Sequence, residues 1–270
     1  MSSLHEGLYE LGRLDSFAMR DTPVHRVDPR AKVLTTLVFI VCVVSFGKYE
    51  VLAMLPFVLF PVVLASEGRI PYRWLGSRLL AAAPFAVVVG MFNPLLDRTV
   101  IAALGTLDIT GGWVSYASIM LRFLLTTAAA LVLIATTSFA GVANGLQRLG
   151  VPDVFATQLL FLYRYIFVLA EEALTMGRAR DLRSFGTRGT GVRVYARMLG
   201  NLLLRTHARA ERIYSAMLLR GFDGRVRVRQ RLQLQGRDVV FVLGWGAAFV
   251  VFRFIDVPTA LGAFVTGVLA

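Results

Sequence analysis

Cysteine is almost missing: Cys42 stands alone among 270 residues, which excludes an intrachain disulfide and any cysteine-based metal site. Lysine is nearly as scarce, at positions 32 and 48 alone. Gly47-Lys48-Tyr49 lacks the Gly-x4-Gly-Lys-Ser/Thr frame in which backbone amides and a lysine cradle phosphates, so ATP hydrolysis by that route is excluded. His5, His25 and His207 are scattered and none lies within an apolar run; no set of metal-ligating side chains is legible across those runs. Paired carboxylates, a nucleophile elbow and a His-Glu-x-x-His frame are absent from the apolar segments too, which leaves an intramembrane enzyme poorly supported. Charge itself is sparse, at 17% against the roughly 25% of soluble domains. What fills the space is apolar: 56% of residues are hydrophobic and the mean hydropathy is +0.65. That balance excludes disorder and disfavours a soluble globule.

The apolar residues fall in runs. Residues 1–32 are polar and hold no stretch of signal-peptide length, so this segment is expected to be retained and amphipathic. Val33–Phe46 and Val51–Ala65 follow, each shorter than the roughly 20 residues of an ideal span, with Lys32 and Lys48 placed to snorkel. Leu79–Phe92 is a third run, expected to stop at Asn93-Pro94. Trp113–Thr137 is long enough to cross alone. Val239–Phe252, extended by Asp238 and Arg253, is the last clear run, and Val257–Ala270 reads as an interfacial or packed tail. Pro56, Pro61 and Pro84 lie inside runs, which membrane helices tolerate where neighbours satisfy the freed carbonyls. Within the spans the one clear charge is Arg122. An intramembrane ionisable residue is a functional candidate by default, but a solitary one favours pairing between helices or contact with another subunit over an ion path.

The net charge of +12 is concentrated. Between Arg178 and Arg231 stand fourteen arginines against Asp181, Glu211 and Asp223, and basic loops stay in the cytoplasm. Val154–Met176 is apolar enough for a fifth crossing but carries Arg164, Glu171 and Glu172. Counting it would put the basic block outside if the amino terminus is inside. Four crossings before the block leave it inside, together with the loop bearing Glu67, Arg69, Arg73 and Arg78, while the charge-poor loop with Asp97, Arg98 and Asp108 is outside. The expected fold is therefore an all-α polytopic membrane protein with about five transmembrane helices. Residues 1–137 hold the amino-terminal segment and four spans, 138–237 a cytoplasmic module, and 238–270 the last span and tail.

Within the module, Ser138 to Gly150 has helical composition and ends in Gly150-Val151-Pro152, with Asp153 as a candidate cap for a restart. Residues 154–183 form one long helix; Thr187 to Gly191 is a flexible connector, and residues 192–219 form a second long helix. The second is two-faced: Arg193, Arg197, Arg205, Arg209 and Arg212 on one side, Tyr195, Leu199, Leu202, Ile213 and Met217 on another. Both helices end alike, in Arg183-Ser184-Phe185-Gly186 and Arg220-Gly221-Phe222-Asp223-Gly224. Arginine at a helix carboxyl end is partly explained by capping and the helix dipole; two matched ends point instead to a pair of docking knobs. The basic face lacks interleaved stacking aromatics, which argues against nucleic-acid binding.

These residues resemble the transmembrane (T) component of energy-coupling-factor transporters. His25-Arg26-Val27-Asp28-Pro29-Arg30-Ala31-Lys32 is similar to the family's amino-terminal signature, carried here by Asp28, Pro29, Arg30 and Lys32. Ala135-Thr136-Thr137 to Leu146–Pro152 is similar to the segment leaving the fourth span. Ala216–Phe222 resembles the second coupling motif, with Leu219, Arg220 and Gly221 at its centre. The first coupling motif is less faithful: Leu182-Arg183-Ser184 mirrors Leu219-Arg220-Gly221 and is preferred, with Arg180 in reserve on the same helix face. Val44-Ser45-Phe46, the Pro71 loop and Met91–Arg98 are most similar to the cobalt-type branch, often called CbiQ. The resemblance implies a non-catalytic, multi-pass subunit of the cytoplasmic membrane with a cytoplasmic amino terminus. It implies two cytoplasmic ATP-binding-cassette subunits that receive Arg183 and Arg220 and hold the ATP and magnesium, since no cofactor or metal is expected on this chain. It also implies a separate S-type membrane subunit that captures cobalt, with or without a small accessory membrane subunit. Nickel or a vitamin as cargo, a membrane-anchored nucleic-acid-binding protein and an intramembrane enzyme around Arg122 are the rival readings.

Overall fold

A computed structural model describes residues 16–96, 99–104, 107–184, 191–224 and 234–254. In chain order the elements are α1 (Pro29–Val44), a 3-10 segment (Leu52–Val58), α2 (Leu59–Glu67), α3 (Tyr72–Gly90), α4 (Phe92–Leu96), β1 (Val100–Leu104) and β2 (Leu107–Thr110). They continue as α5 (Gly111–Thr137), α6 (Phe139–Arg148), α7 (Asp153–Arg183), α8 (Val192–Leu219) and α9 (Gly236–Phe254). The fold is that of an all-α polytopic membrane protein, to which a small antiparallel hairpin is added. β1 pairs with β2 from Val100 opposite Thr110 to Leu104 opposite Leu107, in a stretch whose Val100, Ile101 and Ile109 favour extended backbone. The chain divides into two compact units: a frame of Phe17–Ser138 with Leu232–Ala270, and a helix-pair unit of Met1–Ser16 with Phe139–Arg231.

Among the described residues three helical stretches are long and apolar enough to cross a membrane, Tyr72–Pro94, Gly111–Thr137 and Asp153–Arg183, and Leu52–Glu67 is a shorter apolar one. Two boundaries differ from the sequence expectation. Asn93-Pro94 does not stop a helix: α3 closes at Gly90, and Pro94 sits in the opening turn of α4, where its missing N–H is no loss. Asp153 is the first helical residue of α7 and not its cap, because Pro152 takes the cap position; the Asp153 carboxylate instead accepts from Gln147 Nε2 at 2.7 Å. The 257–270 tail, Phe185-Gly186 and most of the 187–191 connector lie outside the described residues, as do Arg188, Arg225, Arg227, Arg229 and Arg231.

In the frame, α5 packs against α1, α2, α3 and α4. It does so through small side chains: Ser115, Ser118, Ala128, Ala129, Ala135 and Thr136 are buried at helical spacing. Small residues let backbones approach where lipid offers no hydrophobic drive to associate. Gly68, between α2 and α3, shows the same constraint, since a Cβ there would lie 2.9 Å from the Leu64 carbonyl oxygen and 3.1 Å from Thr136 Cγ2. An aromatic cluster fills the centre. Phe39 of α1 stacks on Phe60 at 4.7 Å and meets Phe249 of α9 at 5.5 Å, while Trp245 stands edge-on to Phe60 at 4.9 Å. Around this core Leu37, Val41, Val44, Leu80, Phe85 and Val88 are exposed, the apolar outer surface of helices that face lipid.

The carboxyl end of α1 is closed by arginines from two other helices. Arg122 Nη2 of α5 donates to the carbonyls of Phe46 and Gly47 at 2.8 and 2.6 Å. Arg253 of α9 donates to the Ser45 carbonyl at 3.2 Å, lies 4.2 Å over the Phe46 ring and pairs with Glu50 at 3.5 Å. Helix ends leave carbonyls without intrahelical partners, and cations suit their negative dipole. Arg122 thus pairs between helices, one of the two roles its isolation in the sequence favours. Replacing Arg122 by Met should strand the Phe46 and Gly47 carbonyls at a cost of about 1–3 kcal/mol, read as a lower thermal unfolding midpoint of the detergent-solubilised protein.

Candidate functional site

The amino-terminal motif lies at the opposite end of α1. Asp28 caps the helix, its Oδ1 accepting from the Arg30 N–H at 2.9 Å, and Pro29 takes the first helical position, where its fixed φ suits the turn. Arg30 Nε stays 3.8 Å from the same oxygen. Lys32 is 1% exposed, and its Nζ donates to the carbonyl of Thr136 at the end of α5 at 2.8 Å. A charge this deep is tolerated only with partners. They are the Thr136 carbonyl and the carboxylates of Asp28 and Asp238, both of which act on it electrostatically. Asp238, also 1% exposed, accepts from the Asp28 N–H at 2.9 Å and the Gln235 N–H at 2.8 Å. Sequence reasoning missed Asp238 as a member of this group. Its one signal was an acid in the first turn of an apolar helix, which dipole chemistry alone explains.

Shared ends set the directions of three helices. α1 and α9 begin together at Asp28 and Asp238 and end together at Ser45 and Arg253, so they run parallel. α5 ends where α1 begins and passes Arg122 where α1 ends, so it is antiparallel to both. The Thr136 end, where the chain leaves the frame, and the Asp238 end, where it returns, are therefore the same end. Arg20 belongs there too, its guanidinium donating to the carbonyl of Arg69 in the α2–α3 turn.

In the helix-pair unit, α6 packs along α7, with Phe139 stacked on Tyr163 at 4.8 Å. α7 and α8 run antiparallel. Thr157 Oγ1 donates to the Gly224 carbonyl at 3.3 Å, Arg205 pairs with Glu172 at 2.8 Å, and Arg180 lies 4.7 Å over the Tyr195 ring. The 28 residues of α8 include no buried one. Met198, Leu202, Ile213 and Met217 are half-covered on the side toward α7, whereas Leu199, Leu203 and Leu204 are 66–70% exposed. Phe161, Tyr165, Leu169, Ile213, Met217 and Phe222 line an apolar groove of about 550 Å³ between the two helices.

The antiparallel run puts the two arginine ends far apart. Arg183 and Ser184 share a recess with Val194 at the start of α8, while Arg220 and Gly221 follow its last residue, about 40 Å away at roughly 1.5 Å per residue. Each end presents a bare leucine beside an exposed arginine: Leu182 is 84% and Leu219 90% exposed, next to Arg183 and Arg220. Gly221 has φ +78, a left-handed helix stop, and the Gly221 and Phe222 N–H groups return to the Leu218 and Met217 carbonyls. Arg180 differs from Arg183. Its side chain is 17% exposed, hydrogen-bonded to Asp181 and stacked on Tyr195, so it braces α7 against α8. Among the described residues no three His, Cys, Asp or Glu side chains gather into a group that would hold a metal ion.

Comparison with known proteins adds an independent finding. The family model described as cobalt transport protein, CbiQ, matches residues 20–232. The energy-coupling factor transporter transmembrane protein EcfT of Heliobacterium modesticaldum is 28% identical over 256 residues, 88% of this chain and 94% of that one. The cobalt transport protein CbiQ of Rhodobacter capsulatus is 36% identical over 94 residues, 34% of this chain and 38% of that one. The nickel permease LarQ of Lactiplantibacillus plantarum is 29% identical over 116 residues, 40% of this chain and 42% of that one.

His25 gives the motif region a measurable pH dependence. Its Nδ1 meets Thr22 Oγ1 at 2.7 Å, and burial first, then the charge of Lys32, hold its pKa below the ordinary 6.5. The unfolded chain takes up a proton there near pH 6.5, while the folded chain resists it to lower pH. Stability from this group should be complete above pH 6.5 and decline as the pH falls below it. Thermal midpoints in detergent from about pH 8 to about pH 5 should show that decline, and His25→Gln should flatten it.

Proposed function

The chain belongs to the CbiQ family of cobalt transport proteins, a T component of the energy-coupling-factor type, and we propose that it couples two cytoplasmic ATPases to a separate metal-capturing membrane subunit. The observation that carries this reading is the pair of leucine–arginine tips at opposite ends of α7 and α8. A leucine almost wholly in solvent gains free energy only when something covers it. Two such tips about 40 Å apart suit two partners better than one. Arginine fits the task because its planar fork bonds carboxylates and carbonyls in a groove and does not lose its charge. Arg183 and Arg220 are the docking residues in this reading, flanked by Leu182 and Ser184 and by Leu219 and Gly221, and Arg180 is the brace behind the first tip.

ATP and magnesium belong to the partner ATPases. Their closure draws the two grooves together and shifts α7 against α8. The exposed leucines of α8 and the apolar groove beside Phe161 pass that shift to the capture subunit.

The shared end of α1, α5 and α9 supports an orientation for this reading. A chain that leaves and re-enters the frame at one end makes an even number of crossings in between. α7 is apolar enough to span, but α8, with five arginines, cannot return through lipid. The helix-pair unit, which holds the basic block, is accordingly proposed to be cytoplasmic. The frame end that holds Thr136 and Asp238 carries Arg20, Arg26, Arg30, Lys32 and Arg69, against Lys48, Arg122 and Arg253 at the other, which supports a cytoplasmic placement of that end.

Cobalt is the proposed cargo, on the family description; the similarity to LarQ makes nickel the second reading. Arg183→Glu and Arg220→Glu should each weaken ATPase docking by about 2 kcal/mol or more, roughly a 30-fold loss of affinity, while membrane insertion persists. Pull-down of the ATPases from detergent extracts measures this, and wild-type docking by the double variant would refute the assignment. Uptake of radiolabelled Co²⁺ and Ni²⁺ by cells expressing the complete complex should favour Co²⁺; a preference for Ni²⁺ would select the second reading.

A further inference from the structure

α5 and α6 are joined by one residue. Ser138 has φ 62 and ψ 159, a backbone region that essentially only glycine enters without strain. The boundary between the two compact units falls immediately after it, at Phe139. On the frame side the chain is held firmly: Ala135 and Thr136 are buried, the Ser138 N–H donates to the Ile134 carbonyl at 3.0 Å, and Lys32 holds the Thr136 carbonyl. On the other side α6 is packed along α7. The returning strand is anchored in the same place, because Asp238 binds the Gln235 N–H on its own strand and the Asp28 N–H of α1. A single helical turn, Asp28 to Lys32, therefore grips both strands that connect the frame to the helix-pair unit.

We propose that this turn is the mount of the coupling motion: Ser138 is the pivot, Lys32 fixes the outgoing strand beside it, and Asp28 with Asp238 fixes the returning one. This rests on the coupling role proposed above and assigns the amino-terminal motif a positioning role inside the chain. A grip of this kind confines rotation to one residue. With the Thr136 carbonyl released, the last turn of α5 unwinds under load and absorbs the ATPase stroke before it reaches the capture subunit. Lys32 faces both Asp28 and Asp238; Asp238 is neutralised together with it, while Asp28 keeps its bond from the Arg30 N–H and the Arg30 guanidinium at 3.8 Å.

The test uses the complete complex with its ATPases, in a Cys42→Ser background. One pair of spin labels, at Met19 and Leu203, joins the two units; a control pair, at Met19 and Leu52, lies within the frame. All three positions are 65–85% exposed. ATP with vanadate should shift the Met19–Leu203 distance and leave Met19–Leu52 unchanged. Ser138→Gly should keep the shift, since glycine adopts this backbone freely. Ser138→Pro, locked at negative φ, should lose it. Lys32→Met/Asp238→Asn should still co-purify with the ATPases and hydrolyse ATP, but with the shift lost and fewer ions imported per ATP. A shift that survives unchanged in Ser138→Pro and in the double variant overturns the pivot alone. An unshifted wild-type complex whose ATPases hydrolyse ATP overturns the coupling reading, and the pivot with it.

Discussion

A helix that starts or ends where water is scarce must find partners for its terminal backbone groups inside the protein, and α1 does so at both ends with side chains from other helices. At the amino end Asp238 of α9 accepts from the N–H of the capping residue Asp28, and at the carboxyl end Arg122 and Arg253 hold the carbonyls; Lys32 of α1 in turn holds the Thr136 carbonyl at the end of α5. Each of these groups is costly to bury alone and tolerable only in company. The need to satisfy them fixes the register and direction of α1, α5 and α9 more tightly than the aromatic packing between them. Leucine-rich surfaces slide against each other or against lipid with little change in free energy; a guanidinium 2.8 Å from a carbonyl does not.

The helix-pair unit is built on the opposite terms. α8 has no buried residue, and the contacts along it are an ion pair between half-exposed groups, one cation–ring stack and an apolar groove left open. Surface ion pairs contribute little, about 0–1 kcal/mol, so the pair is held loosely by its own chain. A loosely held pair in one unit and a tightly capped frame in the other is the distribution of stability expected of a part that moves and a part that does not.

Much of this was legible in the residue order. The bounds of the long helices come from apolar runs and their stops: residues 192–219 follow from glycines on either side, and Trp113–Thr137 from its unbroken length. Asn93-Pro94 misled because a proline marks a helix start as readily as a stop, and the order of residues does not say which. The hairpin at residues 100–110 was missed because short apolar stretches fit strand and helix alike. The matched arginine ends were plain in the sequence, but Arg180 and Arg183 share a helix face there. Only the side chain of Tyr195, brought over from α8, distinguishes the brace from the tip.

Composition and periodicity by themselves determined that the chain is a helical membrane protein, that its net positive excess is concentrated in one segment, and that this segment ends two helices in the same way. Those are local properties, set by hydropathy over a window and by the 3.6-residue period. Tertiary structure alone decided that Arg122 closes a helix, that Asp238 joins a motif more than 200 residues away, and that the two tips face opposite ends of the unit. Each of these depends on which groups meet across the fold, and one buried carboxylate or guanidinium looks like any other until its partner is in place.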